Sequence, residues 1–128
     1  MQRILLVDDE EAILFAFSRV LRAPSVQLDT AQSAEEAVGM LGCATYGAVV
    51  ADLRLAGMDD KEGLEVVRHA KAMQPKIYVI VITAYGGTQI RSEVFAAGAD
   101  CYMEKPVSPQ KIRDELQAHG VYGCSVDQ

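Results

Sequence analysis

Asp8-Asp9-Glu10, Asp52, Thr83 and Glu104-Lys105 are the residues of this chain whose types and placement could do chemistry together. Each group follows a short aliphatic run. Arg3–Val7 precedes the first acids, Gly47–Ala51 precedes Asp52, Ile77–Ile82 precedes Thr83, and Ala99–Met103 precedes Glu104 and Lys105. If those runs are strands of one parallel sheet, three carboxylates, a hydroxyl and an ammonium meet at its carboxyl edge, where open α/β sheets collect function. Two like unit charges about 4 Å apart repel by about 4 kcal/mol at an effective dielectric near 20. Such a cluster asks for a hard divalent cation such as Mg2+, which takes carboxylate and water oxygens and keeps positions open for phosphate. A carboxylate there can attack phosphorus and form an aspartyl phosphate. That transfer depends mainly on positioning and on neutralising the equatorial oxygens. Lys105 and Thr83 are the right types, a mobile point charge and a small donor.

The elements that must position these groups alternate along the chain. Five apolar runs, the four above and a weaker one over Val26–Thr30, read as strands. Several lack polar alternation, as expected of strands buried on both faces of a parallel sheet. Between them lie amphipathic segments. Ile13, Phe17, Val20 and Leu21 share one face; Ala34, Ala37, Val38 and Leu41 a second; Val66, Val67, Ala70 and Met73 a third; Ile90, Val94 and Ala97 a fourth; Ile112 and Leu116 a fifth. Ser33-Ala34-Glu35-Glu36 reads as a capping box. Ser108-Pro109 reads as an N-cap followed by proline at the first helical position. Pro75 stops the third helix before the strongest strand. Five β-α units with right-handed crossovers predict a doubly wound parallel sheet with helices on both faces.

Composition narrows the function classes. The 128 residues fit one domain, spanning residues 1–120, with 121–128 read as a C-terminal tail or linker stub. Half the residues are hydrophobic and the net charge is -6, which suits a folded acidic domain and argues against direct nucleic-acid binding. Cys43, Cys101 and Cys124 form no C-x-x-C pair, so neither a disulfide framework nor a zinc site is expected, and the natural setting is the reducing cytoplasm. Cys101 is expected to be buried and inert. His69 and His119 form no ligand pair. No stretch reaches transmembrane length, so no membrane partner is expected.

Taken in order, Leu6-Val7-Asp8-Asp9-Glu10, Val50-Ala51-Asp52-Leu53, Ile82-Thr83-Ala84-Tyr85 and Glu104-Lys105-Pro106 resemble the receiver domain of two-component response regulators, of the chemotaxis-regulator type. The resemblance runs from Ile4 to about His119. It implies a flavodoxin-like sheet in the strand order 2-1-3-4-5. It implies Asp52 as phosphoacceptor, Mg2+ held by Asp8, Asp9, Asp52 and the backbone carbonyl of Arg54, and Lys105 paired with the phosphoryl group. Thr83 and Tyr102 take the switch positions, and the Lys105-Pro106 peptide is expected to be cis. The implied partner is a sensor histidine kinase or a histidine phosphotransfer protein. An output domain or a second copy would use the face of helix 4, strand 5 and helix 5. The loop from Leu53 to Leu64 is longer than the family usually has, and Arg54 and Tyr85 are expected to influence hydrolysis of the phosphate.

Other readings compete. Acids near residue 8 also suit a plain helix N-terminus, and Asp52 alone suits a turn; convergence with Lys105 argues against both. An aspartyl phosphatase carries a second acid two residues past its nucleophile, where this chain has Arg54. A phosphate-independent pseudo-receiver is expected to lack one of the key residues. Gly86-Gly87 lacks the phosphate-loop pattern and reads as freedom before helix 4.

Overall fold

The computed structural model describes residues 2–53, 60–84 and 87–121. Ten elements alternate: β1 (Gln2–Val7), α1 (Glu11–Leu21), β2 (Val26–Ala31), α2 (Ala34–Leu41), β3 (Ala48–Asp52), α3 (Asp60–Met73), β4 (Tyr78–Thr83), α4 (Thr88–Ala97), β5 (Cys101–Glu104) and α5 (Pro109–Ala118). The strands are parallel in the order β2-β1-β3-β4-β5, the expected doubly wound sheet.

Residue parity divides the core between the two faces. Leu5, Val7, Val49, Ala51, Val79 and Val81 pack toward α2, α3 and α4. Ile4, Leu6, Ala48, Val50, Ile80 and Ile82 pack toward α1 and α5. Both faces of the central strands are therefore apolar, which is why their sequences show no alternation.

Local chemistry sets the ends of the elements. Ser33 Oγ accepts the Glu36 N–H at 3.1 Å, while Glu36 reaches back to the Gln32 N–H at 2.8 Å, one residue beyond the usual return bond of a capping box. Ser108 Oγ accepts the Lys111 N–H at 3.2 Å ahead of Pro109 at the start of α5. Gly63 seats α3 against the backbone that follows Asp52, since a Cβ there would lie 2.6 Å from Leu53 Cα.

Four details differ from the expected pattern. β5 begins at Cys101 rather than Ala99. Gly98 has φ +120°, and the Asp100 carboxylate accepts the Val79 N–H at 2.9 Å, so residues 98–100 are spent on the turn into the strand. The buried face of α1 is Leu14, Phe17, Ser18 and Leu21, an i, i+3, i+4, i+7 set, and Ile13 and Val20 flank it half-buried. Met73, at the last turn of α3, is 45% exposed rather than in the core. Cys101 is half-buried rather than buried, because β5 is an edge strand. Val121, just beyond α5, packs into the α1–α5 core and gives its N–H to Leu116 O. No described helix is long and apolar enough to cross a membrane.

Candidate functional site

Strand register brings the acids level. Val7 lies opposite Ala51, so the next residues along β1 and β3 are Asp8 and Asp52. Asp52 lies opposite Ile82, and Thr83 opposite Glu104, so Thr83 and Lys105 follow one step further along. Backbone bonds hold this edge together: Asp8 N–H to Ala31 O at 3.0 Å, Leu53 N–H to Ile82 O at 2.9 Å, and Lys105 N–H to Thr83 O at 2.8 Å. The Lys105-Pro106 peptide is cis.

Asp8, Asp52 and Thr83 are buried, at 4%, 7% and 0% exposure, whereas Asp9 and Glu10 face solvent. Lys105 Nζ donates to Asp52 Oδ2 at 3.0 Å. Burial works against the Lys105 charge, but the bond to Asp52 and the nearby Asp8 and Glu10 outweigh it and push its pKa up. Asp8 Oδ1 accepts the Glu10 N–H at 2.9 Å. That bond does not offset burial, and together with the Asp52 charge burial lifts the Asp8 carboxyl from 3.8 to about 6.

Asp8, Asp9 and Glu10 offer carboxylate oxygens within 4.8 Å of one another. All are hard donors, and Asp8 is a buried carboxylate with the Asp52 charge beside it. These residues fit a divalent cation such as Mg2+. Glu10 joins the trio although only its two neighbours stood out as ligands in the sequence; its adjacency was the available signal. Asp52 bonds Lys105 directly and meets Asp8 electrostatically. Arg54, whose carbonyl is an expected ligand, and Tyr85 lie outside the described residues.

Tyr102 sits on β5 beside α4. Its hydroxyl donates to Glu104 Oε2 at 3.0 Å and accepts the Gly87 N–H at 3.3 Å. The Arg91 guanidinium lies 6.0 Å from its ring centre and 5.6 Å from that of Phe95, and the two rings are 6.4 Å apart. Arg91 and Phe95 carried no functional signal in the sequence, since neither stands at a strand end.

The family profile described as response regulator receiver domain matches residues 4–117. The alginate biosynthesis transcriptional regulatory protein AlgB of Pseudomonas aeruginosa is 35% identical over 87% of this chain and 24% of its own length. The virulence transcriptional regulatory protein PhoP of Salmonella typhimurium is 30% identical over 92% of this chain and 51% of its own length. The chain thus spans about a quarter and about half of these two curated relatives. A CheY-like receiver domain protein from Methanospirillum hungatei superposes with a TM-score of 0.84 at 27% identity, covering 93% of each chain. A BeF3-activated receiver domain, DrrB, gives 0.80 at 27% identity over 92% of this chain and 96% of its own. A profile match over nearly the whole chain and a shared strand order agree, and the chain belongs to the response regulator receiver domain family of two-component regulatory systems.

Proposed function

We propose that this domain is a phosphorylation switch whose acceptor is Asp52. The observation that carries the reading is the Lys105–Asp52 contact at 3.0 Å beside the acid trio of Asp8, Asp9 and Glu10. Asp52 offers a buried carboxylate oxygen to phosphorus. Lys105 moves with the incoming phosphoryl oxygens, and Thr83 gives its hydroxyl proton to one of them. Asp8 and Asp9, with Asp52, would hold Mg2+, which would neutralise phosphoryl charge; the backbone carbonyl of Arg54, the further ligand that the resemblance implies, lies outside the described residues. The donor is the phosphohistidine of a sensor histidine kinase or a histidine phosphotransfer protein in the cytoplasm. The domain assists only its own transfer and dephosphorylation.

Phosphorylation adds roughly two negative charges beside Thr83. Thr83 shifts toward them, Tyr102 turns inward, and the face of α4, β5 and α5 changes its preference for an output domain or a second copy. This is a population shift between two packings, so phosphate must favour one of them by its own contacts. The domain extends one residue beyond the expected boundary of 120, since Val121 packs into the core.

Intact mass after incubation with acetyl phosphate tests the reading. One Mg2+-dependent phosphoryl adduct is expected, absent from Asp52→Ala. No adduct under any condition would return the chain to the pseudo-receiver reading.

A further inference from the structure

Glu104 stands among the reactive residues but has no part in the phosphoryl chemistry. Lys105 is bonded to Asp52, and the acid trio is Asp8, Asp9 and Glu10. Successive side chains along a strand point to opposite faces, so Tyr102 and Glu104 share one. That face is the α4 side, because Tyr102 packs on the cluster that holds Val94 of α4, while Met103 joins the opposite cluster. In register, Glu104 lies level with Thr83 and Tyr102 with Val81. The Tyr102 hydroxyl gives its proton to Glu104 Oε2 at 3.0 Å and accepts the Gly87 N–H at 3.3 Å. Gly87 is the N-cap of α4 and has no side chain to cap that helix. Two bonds in series therefore tie the start of α4 to the last residue of β5. A hydroxyl that donates to a carboxylate also accepts a second bond more strongly, because bonds in a chain polarise one another. Burial, and then the bond to Glu104, push the Tyr102 pKa up, as expected of a hydroxyl donating to a carboxylate.

We propose that Glu104 is a positioning residue that sets how readily Asp52 takes a phosphoryl group, by holding the Tyr102 hydroxyl in the place seen here. The inference rests on Asp52 being the phosphoacceptor and on Tyr102 turning inward when Asp52 is modified. To turn, Tyr102 must break its bond to Glu104 and leave the Gly87 N–H without this acceptor. Contacts of the phosphoryl group must supply that free energy. Glu104 therefore opposes the phosphorylated packing, and by reciprocity a weaker hold on Tyr102 strengthens binding at Asp52 by the same factor. Losing one net hydrogen bond of about 1 kcal/mol corresponds to about fivefold. A neutral acceptor at position 104 would hold Tyr102 about half as firmly, since bonds to ionised groups are roughly twice as strong as neutral ones.

Beryllofluoride with Mg2+ is the probe, because it takes the place of a phosphoryl group on a carboxylate and reads an equilibrium rather than a rate. Its affinity for the full chain is measured by fluorine resonance, with Asp52→Ala as the control for the site. Glu104 is exposed, so its variants leave the core intact. Glu104→Ala is expected to tighten binding about fivefold. Glu104→Gln keeps a carbonyl for the hydroxyl and should tighten it only about twofold. In a Tyr102→Phe background, Glu104→Ala should change the affinity by less than about twofold, because no hydroxyl is left to hold. Equal tightening by Glu104→Ala and Glu104→Gln that persists with Tyr102→Phe overturns the proposal, since charge beside Lys105 then accounts for it. Unchanged affinity in both Glu104 variants, with normal Asp52-dependent binding, also overturns it and leaves the acceptor reading intact. So does weaker binding in Glu104→Ala, which would place Glu104 in support of the phosphorylated packing. If the wild type binds no beryllofluoride, or Asp52→Ala binds it equally well, the acceptor reading falls and the role of Glu104 falls with it.

Discussion

The two ends of the sheet treat charge in opposite ways. At the amino end, polar groups answer one another. Gln74 donates to Leu41 O at 2.9 Å and Ala44 O at 2.8 Å, and accepts the Tyr46 N–H at 2.7 Å. Lys71 bridges Ile77 O and the Asp100 carboxylate at 2.7 and 2.8 Å. Asp29 accepts from the Tyr46 hydroxyl and from Arg3. Tyr78 donates to Glu115, and His119 stacks on the Tyr78 ring with centroids 4.0 Å apart. At the carboxyl end, Asp8, Glu10 and Asp52 act on Lys105, Asp9 clusters with Asp8 and Glu10, and the group keeps an excess of negative charge. Paired groups fix loops. Like charges held together cost stability and favour a bound cation. Removing a polar group should therefore destabilise one end and stabilise the other.

Gln74→Ala is expected to have the largest effect. It strips three backbone groups, at the end of α2 and in the α2–β3 connection, of their partner, at about 1 kcal/mol each. Stability in urea should fall by about 2–3 kcal/mol, while the rate of Asp52 modification stays within about twofold, since the two ends do not share the network. A drop in that rate matching the loss of stability would show that the ends are not independent.

Asp8→Asn should act in the other direction. Asp8 has an ordinary value of 3.8 and a folded value of about 6, so the folded state holds its proton more tightly. Stability then falls as pH rises from about 4 through 6, and above both values the penalty is complete. With chelator present, Asp8→Asn should gain on the order of 2 kcal/mol at pH 7.5 and almost nothing at pH 4, as expected for a shift of about two pKa units. Mg2+ should narrow the gap by stabilising the wild type more than the variant. A variant that is equally destabilised at both pH values would mean that the Asp8 bond to the Glu10 N–H outweighs its charge.

What the sequence made legible follows the same division. Asp8, Asp9, Asp52, Thr83 and Lys105 were readable because each stands at the end of an apolar run, and parallel strands bring such ends together. Ala99 and Asp100 read as strand because nothing in their side-chain types reveals the positive φ of Gly98 or the bond from Val79 to Asp100. A cavity beside Asp52, lined by Ile13, Phe17 and Val107, was not legible. These three look like ordinary core residues, and the gap between them exists only once α1 and the segment after β5 lie on the same face. The amino-end network was equally hidden, since Gln74 meets residues 28 to 33 positions away.

Arg91→Ala is the smallest and sharpest test, because it asks whether the charged end reaches the surface of α4 and β5. Arg91 lies over the Tyr102 and Phe95 rings, and Glu104 accepts the Tyr102 hydroxyl, so both favour the side-chain position in this structure. A cation over an exposed ring contributes about 0.5–1 kcal/mol. If Tyr102 must leave this position when Asp52 is phosphorylated, coupling is reciprocal, and loosening Tyr102 must ease modification of Asp52 by the same factor. Arg91→Ala should then raise the steady-state adduct from acetyl phosphate about twofold, the equivalent of about 0.5 kcal/mol, and shift a fluorotyrosine signal at position 102 before any phosphate is added. A shifted signal with an unchanged adduct would confine Tyr102 to packing and cut the carboxyl end off from α4. An unchanged signal would show that Arg91 does not hold the ring.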